Sequence, residues 1–252
     1  MRPLLALETS GGSLGVALRT ESGLLFEENA AAGAWHGKAL APLLLKALSS
    51  CQLKPAELEA VAISLGPGSW TGLRIGLSAA KALAWGAKLA LLGVPSFEAL
   101  AWDAARSAPG QARLLVRDAQ SEGLFLALFS ETQNPPQRWI EESVLKLPDA
   151  VAAVERELRK HRGASVAVCG DRVCLEALAP AAEKHGWRVL DACRHVSAGA
   201  VAECGWQRLL RGAGLRTAAE IHKLAPLYLR ASDPELKLAR RGAGLETTDE
   251  HR

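Results

Sequence analysis

The chain has 252 residues, of which 49% are hydrophobic and 23% charged, with a net charge of +3 and a pI near 8.7. At ~100–200 residues per domain this is one large domain or two small ones, and the composition excludes a chain disordered throughout. The weak positive charge permits nucleic-acid contact without arguing for it, since there is no long Lys/Arg run and aromatic residues make up only 5%.

From the N-terminus, Leu4–Thr9, Leu14–Arg19 and Leu24–Glu28 are short apolar runs separated by Ser10-Gly11-Gly12 and Glu21-Ser22-Gly23. These spacings predict an antiparallel meander of three strands. His36–Ser50 has apolar residues at 40, 43, 44, 47 and 48, which is helical spacing, with Pro42 either kinking the helix or marking its first turn. Val61–Leu65 reads as a strand, Thr71–Lys88 as a helix and Leu89–Val94 as a strand. A helix then runs to about Arg106, with Ser96 as its expected N-cap.

Ser107-Ala108-Pro109-Gly110 reads as a linker, after which the order repeats. Ala112–Arg117, Leu124–Phe129 and Arg138–Leu145 predict strands, Pro148–His161 a helix, Ser165–Cys169 a strand, and Val173–His185 and Ser197–Arg211 helices. Both halves therefore read βββαβα. This is the plan of a duplicated, two-lobed α/β fold of the actin-like (ribonuclease H-like, ASKHA) type, an analogy of fold and not of function. The expected division is a first lobe over 1–108 carrying partner-binding helices, and a second lobe over 109–231 whose last helix returns to the first. A polar, flexible tail over 232–252 is expected to follow.

The apolar run Leu4–Leu7 stops at Glu8, too short for a signal peptide, and Lys88 interrupts the longest apolar stretch, so no membrane span is expected. The five cysteines, Cys51, Cys169, Cys174, Cys193 and Cys204, match no zinc spacing and read as buried or free thiols of a reducing compartment. The expected location is the cytoplasm.

The strongest local motif is residues 66–76, GPGSWTGLRIG, between a strand and a helix. Such a turn presents backbone N–H groups and a positive helix end to an anion, or else serves only to let the helix pack closely. It is no P-loop, since Gly-Lys-Ser/Thr is missing, and Gly170-Asp171-Arg172 is only a fragment of a second phosphate loop. Glu8 and Ser10 follow the first strand, where an acid and small polar residues meet metal and phosphate in actin-like ATPases. The alternative is a hairpin turn with a surface carboxylate. The candidate nucleotide site is thus Glu8, Ser10, Gly66, Gly68, Ser69 and Thr71. No two of the six histidines stand four apart and no GxSxG elbow occurs, so neither metal-dependent nor serine hydrolysis is expected. His36, beside Trp35 at a helix start, reads as structural.

Helix Thr71–Lys88 is apolar around more than the ~100° stripe needed to cover one sheet face. Gly72, Gly76 and Ala80 stand four apart, which lets a second helix approach closely. Helix His36–Ser50 is similarly rich in Ala and Leu. Leu40, Leu43, Leu44, Ala47, Gly72, Ile75, Gly76, Ala79, Ala80 and Leu83 are the expected partner interface, against the alternative that both helices simply cover their own sheet. A bulky residue at Gly76 is expected to break pairing.

Several segments resemble the TsaB (YeaZ) family: Leu5–Ser10, His36 with Leu40 and Pro42, residues 66–76, Lys81–Ala84, Gly93–Leu100, Asp118-Ala119, and Pro226-Leu227-Tyr228-Leu229-Arg230. Their order and spacing are similar over the first hundred residues, and the later segments carry the likeness across nearly the whole ordered chain. Glu8 stands where the family usually has Asp, and Trp70 where Phe is common. The resemblance implies a non-catalytic scaffold in transfer of a threonylcarbamoyl group to N6 of the adenosine beside the anticodon, in tRNAs reading codons that begin with A. It implies pairing with a TsaD-type transferase, joined by a TsaE-type ATPase, homodimers through the same helices when alone, and tRNA met indirectly through the complex. The TsaD-type metal is held by an HxxxH pair, which by this resemblance would lie near Val94–Leu100; no histidine occurs there. No metal and no tightly bound cofactor are implied, a nucleotide at the interlobe cleft or the complex interface being the open option. The alternative function is a small ATPase or phosphotransferase of the same fold, built on Glu8 and the glycine turn.

Overall fold

The computed structural model describes residues 2–12, 14–30, 36–131, 137–191 and 193–229, with His36 by its backbone alone. Trp35, Arg230 and the tail expected over 232–252 lie outside the described residues. The first repeat runs β1 (Leu4–Glu8), β2 (Leu14–Thr20), β3 (Gly23–Ala30), α1 (His36–Ser50), β4 (Ala60–Ser64), α2 (Trp70–Gly86), β5 (Ala90–Val94) and α3 (Ser96–Ser107). The second runs β6 (Ala112–Asp118), β7 (Leu124–Phe129), β8 (Arg138–Leu145), α4 (Leu147–Leu158), β9 (Val166–Gly170), α5 (Arg172–His185), β10 (Arg188–Val189) and α6 (Ala198–Leu210), with a short α7 (Ala218–Lys223) after it.

Each repeat makes one five-stranded sheet, in the orders β3-β2-β1-β4-β5 and β10-β9-β6-β7-β8. In both, the first three strands are antiparallel neighbours and the later strands join in parallel through helices. The two-lobed actin-like plan expected from the element order is the plan observed.

Side-chain alternation explains how the lobes meet. On the first sheet Leu5, Leu7, Val61, Ile63 and Leu91 point to the face covered by α1 and α2. The opposite face carries Leu4, Ala6, Ala17, Ala60, Ala62 and Ala90. These small side chains let α6 lie close, and a Cβ placed on Gly205 would stand 2.6 Å from the Ala62 Cβ. Thus α6, which follows the second sheet in sequence, packs on the first, and α3, which follows the first, packs on β6 and β9 of the second. One apolar core runs between the two sheets through these helices and includes Phe97, Leu115, Phe129 and Trp206. A third cluster fills the outer side of the second sheet under α4 and α5.

Three local expectations are corrected. Pro42 does not mark the first turn of α1; it sits in the second turn, inside the helix. Ser96 is not an N-cap. Pro95 holds that position, and the Ser96 hydroxyl instead accepts the Gly66 N–H at 3.0 Å. Helix α7 was not anticipated, although Thr217 and Glu220 form a capping box that marks its start in the sequence. All five cysteines are free, four of them buried. Among the described residues no helix is long and apolar enough to cross a membrane.

Candidate functional site

The turns after β1 and β4 lie side by side at the mouth of the interlobe cleft, and glycine makes this possible. Gly66 holds φ +99°, a conformation that other residues rarely adopt. A Cβ on Gly68 would overlap the Ser10 carbonyl oxygen, one on Gly72 the Thr9 carbonyl oxygen, and one on Gly76 the Thr9 hydroxyl. The spacing of four therefore seats α2 against the end of the chain's own first strand, not against a partner helix.

Four donors of the glycine turn are used within the chain. Gly66 N donates to Ser96 Oγ (3.0 Å), Ser69 N to Ser10 O (2.8 Å), Gly72 N to the Ser69 hydroxyl (3.2 Å) and Leu73 N to Ser69 O (2.9 Å). From the second lobe, the buried Arg117 reaches across. Its Nη1 donates to Pro67 O (2.9 Å), Ser10 Oγ (3.0 Å) and Ser10 O (3.3 Å), pinning both turns. On the other side the Trp70 ring stacks on Tyr228 with centroids 3.9 Å apart, and Leu227 N donates to Leu65 O (2.8 Å). Two motif segments some 150 residues apart in sequence are thus one structural unit.

Glu8 is neither a surface carboxylate nor a group facing the cleft. It is 1% exposed, and its Oε1 accepts Ser10 N and Ser10 Oγ at 2.6 Å and Gly11 N at 3.2 Å. Burial pushes its carboxyl above the usual range, while the Arg117 guanidinium and the Ser10 and Ser64 hydrogen bonds pull the other way. Of the six residues predicted to hold a nucleotide, Ser10, Gly68, Ser69 and Thr71 line the cleft, a space of about 440 Å³. Glu8 and Gly66 do not. Sequence reasoning missed Arg117, and it left Asp118 in a family segment and Asp171 in a phosphate-loop fragment without joining them to the site; all three line the second-lobe wall. Asp118 closes β6 and Asp171 precedes α5, but nothing local links them. In the fold, Asp171 Oδ2 accepts Asp118 N at 3.0 Å and Asp118 Oδ1 accepts Gln120 N at 2.6 Å. Among the described residues no group of three His, Cys, Asp or Glu is placed to hold a metal ion.

The α1–α2 face differs from its prediction. Leu40, Leu43, Ala47 and Ala80 are buried against the first sheet, and Gly72 and Gly76 are buried at the β1 turn. They have no surface to offer, so a bulky residue at Gly76 would strike Thr9 before it reached any partner. Leu44, Ile75, Ala79 and Leu83 are partly covered and form the accessible seam. The most exposed apolar side chains here were not in the predicted set: Leu45 at 65% and Trp85 at 71%.

The family model of TsaD, tRNA N6-adenosine threonylcarbamoyltransferase, matches residues 30–235. The chain belongs to this family. The "tRNA threonylcarbamoyladenosine biosynthesis protein TsaB" of Bacillus subtilis is 36% identical over 98 residues, covering 39% of this chain and 43% of that protein. The Escherichia coli protein of the same name is 30% identical over 99 residues, covering 39% and 43%. The chain spans about two fifths of the length of these TsaB relatives. A transferase of Syntrophus aciditrophicus is 40% identical over 63 residues, covering 25% of this chain and 19% of that one. YeaZ from Pseudomonas aeruginosa superposes with a TM-score of 0.75 at 24% identity, over 91% of this chain and 100% of that one, a likeness of fold.

Proposed function

We propose that this TsaB-type chain is a non-catalytic partner subunit in the transfer of a threonylcarbamoyl group to N6 of the adenosine beside the anticodon, in tRNAs reading codons that begin with A. The observation that carries the reading is the burial of Glu8. Its carboxylate is closed into its own loop and does not line the cleft. An ATPase or phosphotransferase built on Glu8 needs that carboxylate turned toward the metal and phosphate. The segment Val94–Leu100 has no histidine pair. What the chain does present is the partly covered seam of α1 and α2 and, exposed on the same two helices, Leu45 and Trp85. That surface suits a TsaD-type transferase built on a similar helix pair, with a TsaE-type ATPase joining the pair, and it suits a second copy of this chain when no transferase is present. The place of such a reaction is the cytoplasm, and any nucleotide belongs to the complex.

The test is reconstituted threonylcarbamoyl transfer to tRNA with TsaD-type and TsaE-type proteins, ATP and the threonylcarbamoyl adenylate donor, with and without this chain. Modification that requires the chain, with none from the chain alone, supports the reading. Equal modification without it overturns the reading, and a thermal shift of the isolated chain with Mg²⁺–ATP would favour the phosphotransferase instead.

A further inference from the structure

The far end of the second lobe carries two clefts that meet at Ala164 and Ser165. One, of about 460 Å³, is lined by Arg159, Lys184, His185 and Trp187, with Glu155 on its wall. The other, of about 430 Å³, is lined by Lys160, His161, Arg162 and Trp139, with Glu131 at its edge. The segment Arg159-Lys160-His161-Arg162, which leads from α4 toward β9, forms the ridge between them and sends cations to both sides.

The carboxylates nearby do not neutralise this ridge. Glu157 takes Lys160 at 2.7 Å and His161 at 3.3 Å, and Glu155 faces His185 at 2.8 Å with Lys184 at 3.9 Å. Arg159 and Arg162 are exposed, and among the described residues neither has an ion pair. Each cleft also holds an aromatic stack. Trp139 and His161 lie 3.6 Å apart and within 3° of parallel; His185 and Trp187 lie 5.2 Å apart at 26°. His161 is about one-third exposed, so the imidazole continues the Trp139 stack out to solvent.

Guanidinium groups without carboxylate partners favour phosphate, and a flat stack beside them favours a nucleobase. An acidic peptide would use the cations but leave the stack unused. We propose that this end of the second lobe is an RNA-binding surface, with Arg159, Arg162 and Lys184 holding backbone phosphates and His161 on Trp139 receiving an unpaired base of the tRNA. The inference rests on the tRNA-modification reading for the identity of the RNA, and makes the contact direct, not only through the complex.

The experiment is fluorescence anisotropy of a labelled, unmodified tRNA transcript that reads a codon beginning with A, titrated with the full chain between about 50 and 200 mM salt. Removing the three phosphate-binding cations in R159A/R162A/K184A lowers the slope of log affinity against log salt by roughly 2–3. A charge-matched first-lobe variant, K54A/R74A/K88A, which also removes three exposed cations, keeps the wild-type slope. His161→Ala weakens binding about five- to tenfold and His161→Phe restores it, because the ring and not its charge supplies the stack. Unchanged melting of each variant shows that the lobe remains folded. Binding and slope unchanged in the triple variant, or no binding by the wild-type chain at 50 mM salt, overturn the proposal. So does a triple variant that keeps its tRNA affinity but no longer binds the transferase. The same proteins in the transfer reaction separate the two ideas. A wild-type chain that is required, beside a triple variant with unchanged binding and unchanged apparent KM for tRNA, overturns this surface alone. A dispensable wild-type chain, with tRNA binding still abolished in the triple variant, overturns the subunit reading alone.

Discussion

The outer faces of the two lobes are built on one plan and finished differently. Both sheets run through the same strand order, and each is covered by two helices. Over the first sheet, α1 and α2 leave Leu45, Trp85 and the partly covered Leu44, Ile75, Ala79 and Leu83 at the surface. Over the second, α4 and α5 bury most of their apolar residues and leave Val173 exposed, and the ground beside them carries Arg159, Lys160, Arg162 and Lys184. The turns differ in the same way. β1 ends at Glu8, buried and folded back on Ser10, whereas β6 ends at Asp118, exposed and capping its own turn. A duplicated fold thus holds an apolar face and a basic face on opposite covering layers. The chemistry of each follows from the side chains the shared core does not use.

The sharpest way to break this arrangement is to fill the turn that seats α2. Gly72→Ala puts a methyl into the Thr9 carbonyl, and neither backbone can yield without moving β1. The expected loss is about 3 kcal/mol, or roughly 5–10 °C in melting temperature by calorimetry. Gly170→Ala in the second lobe, at φ +145° against the Val116 carbonyl, has a loss of the same order. A first-lobe clash without a second-lobe one would show that only one turn is under this constraint.

The apolar face is tested without touching the core. Leu45→Asp with Trp85→Asp leaves melting within about 0.5 kcal/mol of wild type, since both side chains are exposed. Pairing, read by analytical ultracentrifugation of the chain alone and with the transferase, weakens by ~10–100-fold. Unchanged pairing would move the partner surface elsewhere.

The link between lobes depends on Glu98 of α3. It accepts Arg208 of α6 at 2.7 and 2.8 Å and Arg138 of β8 at 3.4 Å, and Arg138 is itself held by Glu142. Glu98→Ala leaves two guanidinium groups short of a partner in a half-buried place, costing about 1–2 kcal/mol in urea unfolding. An unfolding transition that splits in two would show that this network couples the lobes, whereas a single shifted transition assigns the coupling to the shared core.

The smallest effect is in pH. Burial raises the folded-state pKa of Glu8, so the folded chain binds the extra proton. Stability is therefore fully present below the ordinary carboxylate range and falls as pH rises through the raised value. Glu8→Gln removes that fall and flattens part of the profile. Asp103, raised chiefly by burial and opposed by its Ser197 hydrogen bonds, keeps a residual fall of the same sign. A Glu8→Gln profile parallel to wild type would mean that the carboxyl is not protonated more readily in the folded chain.

Much was legible from residues alone. Strand alternation, the proline and glycine breaks and the Ala112–Leu145 run located all six meander strands within a few residues of their observed ends, because these signals are local. The capping box at Thr217 was equally local and marked a helix that periodicity over six residues is too short to reveal. The site was less legible. The glycines at 68, 72 and 76 stood out, but spacing alone does not say which neighbour fills the space they leave.

By itself the sequence determined the order of the longer elements, the duplication and the family, since each rests on patterns within a few turns of chain, while the short β10 and α7 escaped it. Tertiary structure decided which members of an apolar helix are spent on the core. It brought Arg117 from the second lobe onto Ser10 and Pro67, stacked Trp70 on Tyr228, and returned α6 to the alanine face of the first sheet. Those contacts join residues scores of positions apart, and burial is a property of the packed whole. A helix period names a face but not what covers it.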